Sequence, residues 1–179
     1  MENPWKVIYT ASRQEKKVAS FLEKARVEFY FPLYKSLRFW KDRKKWVEMP
    51  LFNGYIFVKP TQIERDIVLQ IPGVVKYIRH NGTDAIVPSR QINLIKEFVE
   101  LGYNISDVSR NEKFDVGDIA EILDGPLKGN EAEIFKLGDE SYIIVAVEAL
   151  NQSIKVKLPK EILKITRKKS DMEEVKPLW

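Results

Sequence analysis

The sequence predicts an α+β protein, with an N-terminal antiparallel sheet that packs against helices and a C-terminal small β-barrel. Over residues 4–102, short apolar strands alternate with three segments of helical periodicity, which is typical of helices packed on a mostly antiparallel sheet. From Lys113 onward, four or five short β-rich runs are separated by Gly, Asp and Asn, which is typical of a small barrel.

The first elements are a strand, Trp5–Tyr9, and a helix. Ser12 and Glu15 stand at the S-x-x-E spacing of a capping box, so the helix is predicted to begin at Ser12. Apolar residues then recur at helical spacing and predict a buried face, namely Val18, Phe21, Leu22 and Ala25.

The middle of this part contains two strands joined by a polar, basic segment. The run VEFYFPLY predicts one strand, and Gly54–Lys59 predicts the next. Thr61 and Glu64 form a second capping box, which predicts a short helix through Leu69.

A hairpin and a third helix complete the first part. Asn81-Gly82 is a hairpin turn pattern between Val74–His80 and the run DAIVP. Ser89 is a candidate cap of a helix with an apolar face, and Gly102 is placed to end it. The predicted division is therefore an N-terminal domain, a polar linker, a barrel and a mobile tail: 1–102, 103–112, 113–166 and 167–179.

Charge separates the two parts. Residues 1–111 hold 19 Lys/Arg against 12 Asp/Glu, a net +7, whereas residues 112–165 hold 7 against 11, a net −4. The opposite signs indicate that the two parts have different partners.

Composition excludes several classes of site. The chain has no cysteine and a single histidine, His80, so disulfides, thiolate metal sites and multi-histidine zinc sites are excluded. No cofactor or metal is expected, and no nucleophile motif or carboxylate pair indicates an enzyme. A signal peptide and an apolar run long enough to span a membrane are not visible, so we expect a cytoplasmic protein without membrane contact.

Residues 35–48 combine positive charge with aromatic rings. Six Lys/Arg stand against Asp42 and Glu48, a net +4, and three aromatic residues are interleaved with them. Such a pattern suits single-stranded nucleic acid, because cations follow the phosphates and rings stack on bases. A solvated hairpin whose aromatic residues pack underneath is the alternative.

A glycine-rich run in the second part resembles the KOW motif. It has a Gly-Asp opening, Gly117-Asp118, followed by a Gly-Pro-x-x-Gly turn before a strand, with Gly125, Pro126 and Gly129 in that turn. A phosphate-binding loop is rejected, because no Gly-Lys-Ser/Thr and no helix pattern follow.

The first part resembles the NusG N-terminal domain in four segments that occur in the family's order: WKVIY, PLFNGYIFV, IPGVVKYI and IVPS. With the KOW run, the resemblance covers residues 4–166. It implies a transcription elongation factor of the NusG/RfaH superfamily. The sequence PLFNGYIFV, where the general factor usually has Pro-Gly-Tyr, and Lys6 after Trp5 are more similar to the RfaH-like and UpxY-like antiterminators.

The resemblance also implies two binding surfaces. In the family, an apolar concavity on the N-terminal domain receives the clamp helices of the largest RNA polymerase subunit. The residues at the matching positions here are Trp5, Tyr9, Phe52, Tyr55 and Phe57, with packing in the core as the alternative for Phe57 above all. Upstream or non-template DNA is expected near the first helix and the basic segment, at Arg13, Gln14, Lys16, Lys17, Arg38, Lys41, Arg43, Lys44 and Lys45.

The implied function is antitermination by a monomer that makes no covalent chemistry. It binds polymerase and DNA, reduces pausing or termination, and recruits a ribosomal protein or a termination factor through the KOW domain. A general NusG-type factor and a KOW-containing RNA-binding protein of translation are the alternatives, although the net charge of −4 argues against the second. The second part is expected to form strands rather than a helical hairpin, because residues 141–158 are rich in Ile, Val and Tyr.

Overall fold

Strand β1 is the centre of the first sheet and pairs antiparallel with three other strands. The computed structural model describes residues 3–40, 43–107, 118–137 and 140–168. The strands of this sheet are β1 (Trp5–Thr10), β2 (Phe29–Tyr30), β5 (Tyr55–Val58), β6 (Val74–Tyr77) and β9 (Ile86–Val87). The sheet has the order β2-β5-β1-β6, and β9 also pairs with β1.

Two helical layers cover this sheet, one on each face. Because side chains alternate along a strand, Ile8 packs with Val18 and Leu22 of α1 and with Val68 of α2. Val7, on the opposite face, packs with the apolar side of α3. The helices are α1 (Glu15–Lys24), α2 (Gln62–Gln70) and α3 (Ser89–Glu100).

The two predicted capping boxes have different outcomes. Thr61 caps α2 as predicted: its hydroxyl accepts from the Glu64 N–H, and the Glu64 carboxylate accepts from the Thr61 N–H. The prediction for Ser12 was wrong, because α1 begins at Glu15 after Gln14, without a side-chain cap. The Glu15 carboxylate instead accepts from the N–H of Gly54, a contact between distant segments.

The basic segment forms a long two-stranded hairpin, and a second, short hairpin follows Tyr77. Lys35 pairs with Glu48 in the long hairpin, and Trp40 pairs with Arg43 at its far end. The strands are β3 (Leu33–Trp40), β4 (Arg43–Pro50), β7 (Arg79–His80) and β8 (Thr83–Asp84).

The described residues of the second part form mainly strands, as predicted, and this confirms the α+β class. One sheet has the order β10-β15-β14-β13 and the other β12-β11-β16, and the chain passes between them at Ile134, which is buried. The strands are β10 (Ile105–Asp107), β11 (Ile119–Ile122), β12 (Glu131–Glu133), β13 (Phe135–Leu137), β14 (Glu140–Val147), β15 (Gln152–Leu158) and β16 (Leu163–Arg167).

The segment after α3 is more ordered than its polar sequence indicates. Gly102 has φ +72, and the Tyr103 N–H donates to the Phe98 carbonyl, so the helix ends where predicted. Ile105 already pairs with Val156 of β15, although residues 103–112 were predicted to be a linker. Residues 105–107 form a strand because their backbone pairs with β15. The segment is too short to show an apolar periodicity from which this strand could be predicted. Residues 108–112 lie outside the described residues.

Candidate functional site

The aromatic residues that the sequence singles out share one face of the first sheet. Tyr9 pairs with Tyr55, and two residues along the strands Val7 pairs with Phe57. Directly paired residues and every second residue project to the same side, so Tyr9, Tyr55 and Phe57 point in one direction. We call this side the aromatic face: Trp5, Tyr9, Phe52, Tyr55 and Phe57.

One end of the aromatic face is part of the core. Trp5 is 3% exposed and Phe57 is 0% exposed, and both pack in the cluster that contains Ile95 and Phe98 of α3. Phe52 is also buried, with its ring edge-on to Phe57 at a centroid distance of 5.6 Å. The expectation that these three contact a partner directly therefore does not match their burial, because α3 and the core already cover them.

The other end of the aromatic face reaches the surface. Tyr9 is 36% exposed and Tyr55 is partly buried, and their ring centroids are 5.3 Å apart with the planes tilted by 53°. Tilted rings at this separation attract each other and restrict each other's rotation. We call this pair the tyrosine patch.

The turn before β5 holds the tyrosine patch in place. Gly54 has φ +82, and a Cβ atom there would lie 2.9 Å from the Tyr9 ring, so the ring rests on a backbone without a side chain. The Gly54 carbonyl accepts from the Thr10 N–H at 2.8 Å, and its N–H donates to Glu15 at 3.0 Å. The Asn-Gly sequence is thus needed for the close approach of Tyr9, and it also ties the start of α1 to the patch.

Two of the predicted nucleic-acid segments meet in an open groove of about 680 Å³. Lys16 of α1 lines one side, and Lys35, Lys45 and Trp46 of the hairpin line the other, together with Val47 and Glu48. We call this the basic groove. Its lining has three lysines and one carboxylate, which suits an anionic ligand.

The other predicted nucleic-acid residues that the structure describes in full do not line this groove, and two more lie partly or wholly outside the described residues. Arg13, Lys17, Arg43 and Lys44 are exposed, whereas Gln14 is partly buried, near the bare Cα of Gly73. Arg13 has φ +60, which places it in the turn before α1 rather than in the helix. The backbone of Arg38 belongs to β3, but its side chain and the whole of Lys41 lie outside the described residues.

A charged cluster that the sequence did not indicate joins β1, α2 and β8. Asp84 accepts from Lys6 at 3.0 Å and from both Nε and a terminal nitrogen of Arg65 at 2.7 and 3.1 Å. The hydrogen bonds from Arg65, followed by those from Lys6, lower the pKa of Asp84 to about 2. Burial raises the pKa of the adjacent Tyr77 hydroxyl. No local sequence pattern predicts this cluster, because Arg65 and Lys6 are 19 and 78 positions away from Asp84.

The predicted KOW turn has the geometry that its glycines imply. Gly125 and Gly129 have φ +83 and +80, and Pro126 lies between them. The Lys128 N–H donates to the Gly125 carbonyl at 3.0 Å, and the Gly129 N–H donates to Ile122 at 2.7 Å. The turn thereby returns the chain to β11 before β12 begins.

Of the Gly-Asp pair that opens the KOW motif, the structure describes Asp118. The Asp118 carbonyl accepts from the Ile134 N–H at 2.8 Å, which links the start of β11 to the segment between β12 and β13. Gly117 lies outside the described residues.

Substituting the two turn glycines separates backbone strain from steric overlap. Gly129→Ala is expected to cost about 1–2 kcal/mol of unfolding free energy, because its backbone is left-handed but no atom lies within 4 Å of a new Cβ. Gly125→Ala is expected to cost more, because its Cβ would also overlap the Tyr103 hydroxyl. Urea denaturation of both variants measures the difference.

The same pair has an internal control. In a Tyr103→Phe background the hydroxyl is absent, so the excess cost of Gly125→Ala over Gly129→Ala should shrink. An excess that does not change would show that the overlap with Tyr103 contributes nothing.

The described residues contain neither a membrane-spanning helix nor a cluster of metal-binding side chains. Within the described ranges, no helix is long and apolar enough to cross a bilayer. In the same part of the chain, no group of three or more His, Asp or Glu side chains is arranged to bind a metal ion.

Comparisons with known proteins identify the family. The family model described as transcription termination factor nusG matches residues 3–96, more than half of the chain. A structure described as domain interaction in Thermotoga maritima NusG is 21% identical, covers 93% of this chain and 99% of that chain, and has a TM-score of 0.59. A structure of the MjSpt4:Spt5 complex is 22% identical and covers 92% of this chain and 97% of that chain. Its TM-score of 0.29 is too low to support a structural argument.

The Thermotoga maritima structure supports the same fold, a sheet with helices followed by a β-rich part. The family match covers all four N-terminal segments, WKVIY, PLFNGYIFV, IPGVVKYI and IVPS. The chain therefore belongs to the NusG family of transcription elongation and termination factors, which are not enzymes.

Proposed function

We propose that this chain is a specialised elongation factor of the RfaH-like or UpxY-like kind. It binds the clamp helices of RNA polymerase as a monomer, contacts nearby upstream or non-template DNA, and reduces pausing or termination. The observation that supports this most is the tyrosine patch. It places two partly exposed aromatic rings beside a rigid turn on the surface where the family resemblance expects polymerase to bind.

The patch has the properties of an interface anchor. Tyrosine offers a large contact area with few rotatable bonds, and its hydroxyl stays hydrogen-bonded to water or to a partner. Tyr9 and Tyr55 already restrict each other, and Gly54 lets Tyr9 lie close to the backbone. Trp5, Phe52 and Phe57 belong to the buried cluster against which Tyr55 packs, so they support the patch from the core without direct contact with the partner.

Charge supports a second contact near the first. The bond between Glu15 and Gly54 places the start of α1, with Lys16 and Lys17, next to the turn that holds the patch. A protein bound to polymerase through the patch would thus present these cations to adjacent nucleic acid. Binding across the two would favour the elongating state by shifting populations, without chemistry on the substrate.

The second part of the chain supplies a different surface. We divide the protein into an N-terminal domain, residues 1–102, and a KOW domain, residues 113–166. The net charge of −4 in residues 112–165 makes this domain unsuited to RNA and suited to a basic protein surface. A ribosomal protein or a termination factor is the proposed class of partner.

The polymerase contact is tested with the full chain and an isolated clamp-helix fragment. Tyr9→Ala/Tyr55→Ala is expected to weaken binding by about 30-fold or more, because one aromatic anchor typically contributes about 2 kcal/mol or more and neighbouring anchors do not add in full. Phe39→Ala is the matched control, since it removes an exposed ring from the hairpin, outside the tyrosine patch. Unchanged affinity of the double variant, with its circular dichroism intact, would contradict the assigned contact.

The direction of the effect is tested in a transcription assay. Adding the full chain to paused elongation complexes is expected to shorten the pause, and the double tyrosine variant is expected to lose that effect. Longer pauses or more termination with the native chain would instead favour a general NusG-type role.

A further inference from the structure

We propose that the exposed ring of Trp46 is a stacking platform for bases of single-stranded nucleic acid, and that it distinguishes a single strand from a duplex at the basic groove. This inference rests on the proposed nucleic-acid contact and deepens it. It assigns the kind of strand and the side chain that selects it.

Two large rings lie uncovered on the same face of the long hairpin. Trp46 is 64% exposed and Phe39 is 68% exposed, whereas rings of this size usually lose most of their surface to packing. Trp46 pairs with Leu37 and Phe39 pairs with Lys44, two positions further along, so both rings project from one side. The alternative prediction was that the aromatic residues pack beneath a solvated hairpin. The exposure of Phe39 and Trp46 does not agree with it.

The two rings are diagonal neighbours in the hairpin register. Diagonal neighbours on one face of a hairpin lie about 7–8 Å apart, within reach of large side chains. Phe39 and Trp46 are therefore placed to contact the same short stretch of a bound strand. An aliphatic partner would cover the same surface, but it would not account for the charges around it.

Positive charge surrounds the rings. Lys16, Lys35 and Lys45 line the basic groove with Trp46, and the Lys44 ammonium lies 5.3 Å from the centre of the Phe39 ring. Glu48 is the one carboxylate in the described lining, and it stands opposite Lys35 in the hairpin register. Cations alternating with rings complement a strand in which phosphates alternate with bases.

This arrangement favours an unpaired strand over a duplex. In a duplex, each base is stacked between its neighbours and its flat faces are closed to a protein ring, except at the ends. In a single strand the bases can turn outward and stack on an aromatic side chain, which adds binding free energy that a duplex cannot gain. Phosphate contacts from the lysines would be similar for both ligands.

The test measures fluorescence anisotropy of the full chain with three labelled probes. They are an oligothymidylate and an oligouridylate of about 12 nucleotides and a DNA duplex of the same length. Trp46→Leu is expected to weaken single-strand binding by about 5- to 150-fold and to leave duplex binding within about twofold. Trp46→Phe, which keeps a ring, should recover part of the loss.

Two lysine variants separate stacking from charge. Lys45→Ala is expected to weaken both kinds of probe and to reduce the slope of log affinity against log salt by about 0.7 for the single strand. Lys160→Ala removes an exposed lysine in the second part of the chain and serves as the matched control. If Trp46→Leu loses similar affinity for the DNA and RNA single strands, the ring stacks on bases whatever the sugar. If it loses affinity for one of them only, the proposal holds for that nucleic acid.

The outcomes distinguish this proposal from the polymerase contact. Equal losses on single strand and duplex for Trp46→Leu, or no loss on either, would overturn the stacking role. The absence of any oligonucleotide binding by the native chain would overturn it too, even if the clamp-helix fragment binds. A Trp46→Leu variant that loses the clamp-helix fragment and keeps the oligonucleotides would identify Trp46 as a protein contact. Selective single-strand binding without clamp-helix binding would preserve this proposal and contradict the proposed polymerase contact.

Discussion

Phe57→Ala is expected to lower the free energy of unfolding by about 3–5 kcal/mol, because it removes a fully buried ring and leaves a cavity in the core between the sheet and α3. The ring contacts Phe52 edge-on and stacks on Tyr30 at 6.3 Å, so the loss extends to its neighbours. Urea denaturation of the full chain, followed by circular dichroism, measures the change.

The matched control for this prediction is Phe39→Ala, which removes the same side chain from an exposed position. Its effect on stability should stay within about 0.5 kcal/mol. Tyr9→Ala should cost about 1 kcal/mol, from the loss of its contact with Tyr55. A Phe57→Ala variant as stable as the native chain that nonetheless fails to bind polymerase would show that Phe57 contacts the partner directly.

Asp84→Ala is expected to destabilise the protein by about 3 kcal/mol at neutral pH, because it leaves Lys6 and Arg65 without their common counter-charge. The Asp84 side chain is 9% exposed, so water replaces the lost carboxylate poorly. The expected loss of unfolding free energy lies at the lower end of the range for broken buried ion pairs, since Arg65 remains partly accessible to solvent. Thermal and urea denaturation of the full chain measure it.

The same cluster predicts a pH dependence of stability. Its hydrogen bonds lower the Asp84 pKa from 3.8 to about 2, so the folded state favours the charged carboxylate. The stabilisation, about 2 kcal/mol, is present above pH 4 and is lost as the pH falls through about 2. The stability difference between the native chain and Asp84→Asn should therefore shrink over that range.

Asp66→Asn is the control for both experiments. Asp66 also contacts Arg65, at 3.4 Å, but its side chain is 76% exposed, and an exposed pair contributes little. A destabilisation by Asp66→Asn equal to that of Asp84→Asn would contradict the assignment of the stabilisation to the buried carboxylate. A constant difference between native and Asp84→Asn from pH 4 to 2 would contradict the lowered pKa.

The cluster also bears on the candidate site. Lys6 lies on β1 between Trp5 and Val7, whose side chains are on the same side of the sheet as the aromatic face. The Lys6 side chain projects to the opposite side and donates a hydrogen bond to Asp84. Lys6 was one of the residues that made the sequence more similar to the specialised factors. Its contacts indicate that this position serves the packing of α2 and β8 against β1, at some distance from the tyrosine patch.

Local patterns were reliable where a few neighbouring residues decide the structure. The capping box at Thr61 and the helix end at Gly102 form as predicted, because each needs hydrogen bonds between groups close in sequence. The Ser12 prediction failed, and the Glu15 carboxylate instead accepts from the N–H of Gly54, 39 positions away. The strand within residues 103–112 was missed for a similar reason, since β10 exists by pairing with β15.

The sequence by itself determined most of the strands and helices in their order, the turns that need glycine, and the common side of Tyr55 and Phe57, because these follow from local geometry and the two-residue period of a strand. The pairing of Tyr9 with Tyr55, which places Tyr9 on that same side, was decided by the tertiary structure. Only the tertiary structure decided which of these rings stay accessible. That depends on where α3 lies across the sheet, covering Phe57 and leaving Tyr9 at the surface. It likewise decided that Lys16 meets Lys45 and Trp46 in one groove, and that Lys6 and Arg65 share Asp84. Contacts between segments far apart in the chain are set by packing, and no local pattern records them.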